Sequence, residues 1–158
     1  MVIWIIGRSG SGKSFFAKKI VNKLKKKSIL IDGDEVRKYL TSNLGYTKKD
    51  RFLNSRMIQK LCKFLEIKNL IVVCAIQSIF KKHQKENRKI FKRYIQVYLN
   101  TDPKLILNKK HKLNKFKKNV VGKDINFPKP YMSDLIINND FKNSSQKLKK
   151  ILGKIKIR

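Results

Sequence analysis

The chain has 158 residues, of which 40 are Lys or Arg and only 10 are Asp or Glu, for a formal net charge of +30. That length suits one domain around a single core rather than two. No apolar run approaches the roughly 18 residues that span a bilayer, and two cysteines are too few to staple a disulfide scaffold.

Residues 2–6 are an apolar run that breaks into Gly7-Arg-Ser-Gly-Ser-Gly12-Lys13-Ser14, which reads as a strand, a glycine loop and a helix start. Residues 13–27 place Phe16, Ile20 and Leu24 at four-residue spacing among lysines and predict the first helix. Residues 28–31 form a short buried strand leading into Asp32-Gly33-Asp34, and a short helix follows over 35–40. Residues 41–49, with Gly45, read as loop. Asp50 is a plausible N-cap for a long helix over 51–67 with Ile58, Leu61, Cys62 and Leu65 on its apolar face. Residues 69–75 are apolar on both faces, the mark of a central strand in a parallel sheet.

Residues 76–79 make the turn after that strand, and a charged helix occupies 80–91. The next strand spans 94–99, and Pro103 suits the first turn of a helix reaching about Asn114. Residues 116–130, with Gly122, Pro128 and Pro130, have no clear period and read as a mobile loop. A last short strand covers 135–137, and a closing helix over 145–153 carries a basic tail to 158. Alternation of strand and helix predicts one domain, a three-layer α/β sandwich with about five parallel strands.

Cys62 and Cys74 fall inside apolar patterns and read as buried thiols. With no signal-peptide pattern, the expected location is the cytoplasm, without a membrane partner. The excess of lysine is spread over nearly every predicted helix and loop, without the aromatic interleaving that stacks bases. Weak, salt-sensitive attraction to nucleic acid is expected, but no specific nucleic-acid site. A basic nucleotide-loop protein that binds nucleic acid remains an alternative.

Chemistry concentrates at the carboxyl ends of the strands, where open parallel sheets place their ligands. The run from Gly7 to Ser14 satisfies GxxxxGK[ST] at every required position and has the strand before it and the helix after it that the motif needs. Glycine frees the backbone so that successive N–H groups of Gly7, Arg8, Ser9, Gly10, Ser11 and Gly12 can surround phosphate oxygens at a positive helix end. Lys13 would bring a mobile charge to the β- and γ-phosphates of ATP, and the Ser14 hydroxyl would take one position on Mg²⁺. One strand away, Asp34 could hold a metal-bound water or accept a proton from an attacking hydroxyl, or cap the helix behind it. Arg37, Arg51, Asn54 and Arg56 form a second group near Tyr46, with Arg51, Asn54 and Ser55 sharing one helix face. Guanidinium groups clamp phosphate or sulfate, and Asn offers a donor and an acceptor to a sugar or base.

In order and rough spacing, Gly7 to Ser14, Ile31-Asp-Gly-Asp-Glu-Val-Arg37, Leu44-Gly-Tyr-Thr47, Asp50-Arg51 with Asn54 and Arg56, residues 75–78, and Gly122 with Asp124 resemble the adenylylsulfate kinases. The resemblance covers residues 2–137, most strongly up to Arg56. It implies a P-loop kinase that moves the γ-phosphoryl group of ATP, with Mg²⁺, to the 3′-hydroxyl of adenosine 5′-phosphosulfate. By position, it implies that Lys13 and Asp34 are catalytic and that Asp34, Arg37, Tyr46, Arg51, Asn54, Gln77 and Ser78 surround the acceptor. Tyr46 would stack on the base and Ser78 would border the sulfate. A lid loop would occupy about 109–130, and a homodimer is left open.

Two departures are informative. The family pattern Phe-Ile-Ser-Pro-Tyr-Arg is replaced by Ile76-Gln-Ser-Ile-Phe-Lys81, which brings the polar Gln77 to the edge of the acceptor pocket. Val120 stands where the lid's aromatic half of the base sandwich would be, and its run DPKGLYKKAR has no counterpart. Losing one stacking face costs on the order of 1–3 kcal/mol. Related kinases of this fold act on cytidine diphosphoramidate, so the acceptor is either adenosine phosphosulfate or another small anionic nucleotide.

Overall fold

In the computed structural model, which describes residues 1–24, 27–109 and 118–156, every residue of the first strand, β1 (Val2–Gly7), is buried. β1 pairs in parallel with β3 (Ile71–Ile76) on one side and β4 (Tyr94–Asn100) on the other. β2 (Ser28–Asp32) adds beyond β3, and β5 (Leu135–Asn138) beyond β4. The order is β2-β3-β1-β4-β5, all parallel. Strands covered on both faces have no polar side to alternate with, which accounts for the continuous apolar runs at 2–6 and 71–76.

The two faces are divided by the pleat. Ile3 and Ile5 pack with Phe16, Ala17 and Ile20 of α1 (Lys13–Leu24) and with Ile151 and Ile155 of α6 (Ser144–Lys156). Val2, Trp4 and Ile6 point the other way, toward Val36 of α2 (Gly33–Tyr39) and Ile58 and Cys62 of α3 (Lys48–Ile67). On that second side α4 (Lys81–Ile90) turns in a polar face: His83, Gln84 and Asn87 are fully buried. Gln59 donates to the His83 carbonyl and to Asn87 Oδ1, and Gln84 donates to the Ser78 carbonyl, so hydrogen bonds satisfy this face while the His83 ring packs on Phe52 and Phe80. Both cysteines are free and buried, and burial pushes the Cys74 thiol well above its ordinary pKa.

Several boundaries differ from the sequence reading for local reasons. α3 starts three residues before Arg51, because Thr47 and not Asp50 is its N-cap. The Thr47 hydroxyl accepts from the Asp50 N–H, and the Asp50 carboxylate accepts from the Thr47 N–H, a reciprocal capping box. α2 likewise starts at Gly33 with Asp32 as its cap, so the capping role considered for Asp34 belongs to Asp32. α6 continues through Gly153 to Lys156, since Ile151 and Ile155 lie on one face and both are buried. α5 is Pro103–Lys109; the predicted continuation to Asn114, and residues 110–117 of the expected lid, lie outside the described residues. From 118 to 130 the loop closes on itself through a Val121–Ile125 bridge, with Gly122 in the left-handed region at φ 95°.

Register sets what meets at the carboxyl edge. Ile6 is level with Ile76, and Asp32 is level with Ala75. The ends of β1, β2 and β3 therefore deliver the glycine loop, Asp32–Asp34 and Gln77–Ser78 to one place. Gly7 is needed at this edge because of close approach: a Cβ there would overlap Ser11 Oγ and come within 3.1 Å of the Leu99 carbonyl oxygen. Gly7→Ala is expected to cost about 1–3 kcal/mol of unfolding free energy, the usual range for overpacking. Urea denaturation at constant m-value would measure it.

Candidate active site

The glycine loop leaves β1 and enters α1 with Gly10 and Gly12 at φ 81° and 91°, angles that an L side chain rarely adopts. It is braced from the far end of the chain. Asn139, just past β5 and buried, donates through Nδ2 to the Ser11 carbonyl at 2.9 Å. The motif gives no sign of this residue; its only signal is an Asn next to a strand end.

Five of the eight motif residues, Ser9, Gly10, Gly12, Lys13 and Ser14, line a cleft of about 340 Å³. Gly7, Arg8 and Ser11 do not. Gly7 ends the strand, Ser11 turns its side chain into the protein, and the Arg8 guanidinium lies 5.0 Å over the Phe127 ring, toward the loop that carries Gly122. Lys13 Nζ donates to the Arg8 carbonyl at 2.8 Å, inside the curl of the loop.

Ser14 Oγ donates to Asp32 Oδ2 at 2.5 Å, while the other oxygen, Oδ1, accepts from the Asp34 N–H. Asp32 was not singled out for chemistry in the sequence, yet its carboxylate meets the motif hydroxyl. A hydroxyl and a carboxylate at this separation are hard oxygen donors suited to Mg²⁺. Among the described residues no group of three His, Cys, Asp or Glu could hold a metal by protein ligands alone.

Asp34, in the first turn of α2, lines the same cleft, as do Arg37, Tyr46, Arg51 and Asn54. Two cations lie near the Tyr46 ring, the Arg37 guanidinium carbon 4.8 Å and that of Arg51 5.4 Å from its centroid. Arg37 also donates to the Leu44 and Gly45 carbonyls, which ties α2 to the loop before α3. Arg51 is spent three ways: Nε to the Tyr46 carbonyl at 3.0 Å, Nη1 to Gln77 Oε1 at 3.2 Å and Nη2 to the Asn119 carbonyl at 2.9 Å. Burial, and then the neighbouring Arg37, lower its pKa from the usual arginine range.

The floor is more committed than the sequence suggests. Asn54 is buried and its Oδ1 accepts from Thr41 Oγ1 at 2.6 Å. Ser78, at φ 44°, accepts from the indole N–H of Trp4 at 3.2 Å. Ser55, beside Asn54, hydrogen-bonds His83 Nδ1 at 2.8 Å, and burial lowers the pKa of that imidazole. Arg56 faces away from the cleft and pairs with Glu86. Val120 does not line the cleft; its N–H donates to Asp124 Oδ2 at 2.9 Å, which shapes the turn around Gly122.

Comparison with known proteins agrees with this geometry. The sequence profile described as Adenylylsulphate kinase matches residues 1–138. The cytidine diphosphoramidate kinase of Campylobacter jejuni is 34% identical over 98% of this chain and 95% of its own length. The adenylyl-sulfate kinase of Clostridium kluyveri is 32% identical over 96% of this chain and 81% of its own. Among solved structures, the APS kinase of Mycobacterium tuberculosis in complex with AMPPNP and APS has a TM-score of 0.86 at 21% identity, covering 98% of this chain and 96% of that one. At that identity the likeness is one of fold.

Proposed function

This chain belongs to the adenylylsulphate kinase family, ATP-dependent phosphotransferases acting on a hydroxyl, and from that premise we propose that it transfers the γ-phosphoryl group of ATP to a sugar hydroxyl of a small anionic nucleotide. The observation that carries this reading is the shared cleft. The glycine loop, the Arg37–Tyr46–Arg51 group, and Asp32 and Asp34 all line it.

On this reading the loop N–H groups and Lys13 hold the β- and γ-phosphates, and Lys13 leaves the Arg8 carbonyl to do so. Ser14 and Asp32 would hold Mg²⁺, which supplies charge neutralisation at the phosphates when bound. Asp34 accepts a hydrogen bond, and then the proton, from the acceptor hydroxyl, turning it toward the γ-phosphorus. Arg37 and Arg51 hold the acceptor's anionic group, and Tyr46 offers its ring to the base. The gain is mostly positional: two anionic nucleotides that repel each other in water are aligned for in-line attack by fixed cations.

Two acceptors fit the class. Adenosine 5′-phosphosulfate is the one implied by the family's name, with the transfer then directed to its 3′-hydroxyl and the chain placed in sulfate assimilation. Cytidine diphosphoramidate is favoured by the two departures at Gln77 and Val120 and by similarity to the Campylobacter enzyme along nearly the whole chain. No helix among the described residues is long and apolar enough to cross a membrane, and we place the reaction in the cytoplasm with the homodimer as an arrangement to test. A coupled assay for ADP release, run with ATP, Mg²⁺ and each acceptor in turn, tests the reading. Turnover of one or both supports it; a folded protein that turns over neither refutes it.

A further inference from the structure

Gln77 stands where the family pattern carries an apolar residue, and its amide has a fixed direction. Arg51 Nη1 donates to Gln77 Oε1 at 3.2 Å. A guanidinium has donors and no acceptor, so only the oxygen end of the amide can face it, and the Nε2 end must point elsewhere. Gln77 is half-buried and lines the cleft, and the hydrogen bond to Arg51 is the one its side chain makes among the described residues. A ligand filling the cleft takes water from that N–H, so a hydrogen-bond acceptor on the ligand is its natural complement. Arg51 also gives the distance scale. Its Nε donates to the Tyr46 carbonyl and its Nη1 to Gln77 Oε1, so one guanidinium spans the gap between the two residues.

We propose that Gln77 is a specificity-determining residue of the acceptor subsite, whose Nε2–H donates to a carbonyl oxygen on the edge of a pyrimidine base stacked on Tyr46. The assignment rests on the kinase reading above and adds the base class to it. Adenine has no carbonyl; its acceptors are ring nitrogens, each with a single in-plane lone pair that a donor must meet head-on. Cytosine projects O2 and sets the N3 acceptor beside it, so a single oriented donor has two adjacent targets. An isoleucine at this place would discriminate by shape alone, whereas a donor that loses its water to the bound ligand penalises a base that leaves it unmet. Arg51 is then a positioning residue as well as an anion clamp, since it fixes which end of the amide faces the ligand.

The test uses two substitutions and two ligands. Gln77→Met keeps the side-chain length, adds no charge and removes the donor; Gln77→Ile restores the apolar residue of the family pattern. With AMPPNP and Mg²⁺ filling the ATP side, calorimetry measures the Kd of cytidine diphosphoramidate and of adenosine 5′-phosphosulfate. The parent should prefer the cytidine ligand, and each variant should weaken it by about tenfold to a hundredfold, the range for one oriented hydrogen bond. The adenosine ligand should change by less than about threefold, and unchanged AMPPNP affinity would show that the variants are folded. A parent that prefers the adenosine ligand or binds neither overturns the assignment, as do equal losses for both ligands. Selective binding of the cytidine ligand without turnover would instead overturn the kinase reading and leave the base preference standing.

Discussion

Lys13→Ala is expected to lower kcat/KM for ATP by about 10²–10³-fold, the usual loss on removing one preorganised charge contact to a reacting group, while the thermal midpoint moves by only a few degrees. The asymmetry follows from what Lys13 touches. Its ammonium makes a 2.8 Å hydrogen bond to a neutral carbonyl five residues back, at the first residue of α1. The loop has other supports, including the Asn139 brace on Ser11 and the Ser11 N–H to Arg8 carbonyl bond. Losing the ammonium therefore leaves the curl in place but empties it of its mobile charge. Lys13→Arg should rescue poorly, because a planar fork is wider than an ammonium in a space shaped by glycine backbone. Steady-state kinetics paired with nucleotide-induced thermal shift reads both effects. Activity within a few-fold of the parent would rule out the phosphate-loop mechanism.

The parts of the fold that could be read in advance are those written locally. The burial of β1 and β3 follows from continuous apolar runs, and the glycine loop is a contiguous motif whose flanking strand and helix are its own context. Boundaries moved where a cap was shared by two residues: Thr47 and Asp50 cap reciprocally, so either could be taken for the start. The site divides in the same way. Arg37, Tyr46 and Arg51 are close in sequence and meet in space. Asn139 is 128 residues from the carbonyl it holds, and Gln77 is 26 residues from Arg51, so neither bond leaves a local trace. The polar face of α4 has the same origin: His83, Gln84 and Asn87 resemble solvated helix residues until Ser55, Ser78, Tyr131, Gln59 and Tyr94 supply partners from elsewhere in the chain.

The sequence reading gives the chemistry to Asp34 and none to Asp32, two residues earlier, and the structure separates what the loss of each should do. Asp32 serves the fold twice, with one oxygen accepting from the Asp34 N–H as helix cap and the other from Ser14 Oγ. Asp32→Ala removes both bonds, and loss of the cap alone is worth about 0.5–2 kcal/mol. Its thermal midpoint should fall, and more Mg²⁺ should be needed for half-maximal rate. Asp32→Asn keeps an oxygen for the cap but loses the charge, so the Mg²⁺ requirement should rise with a smaller loss of stability. Asp34 contributes its backbone N–H to that cap and turns its carboxylate to the cleft. Asp34→Asn should therefore leave the midpoint nearly unchanged and reduce kcat by about 10²–10⁴-fold, the range for losing a positioned general base, with the KM of ATP little altered. If instead Asp34→Asn stayed within a few-fold of the parent while Asp32→Asn lost three orders of magnitude at saturating Mg²⁺, the acceptor hydroxyl would have to be activated from Asp32. The assignment of the two carboxylates would then be reversed.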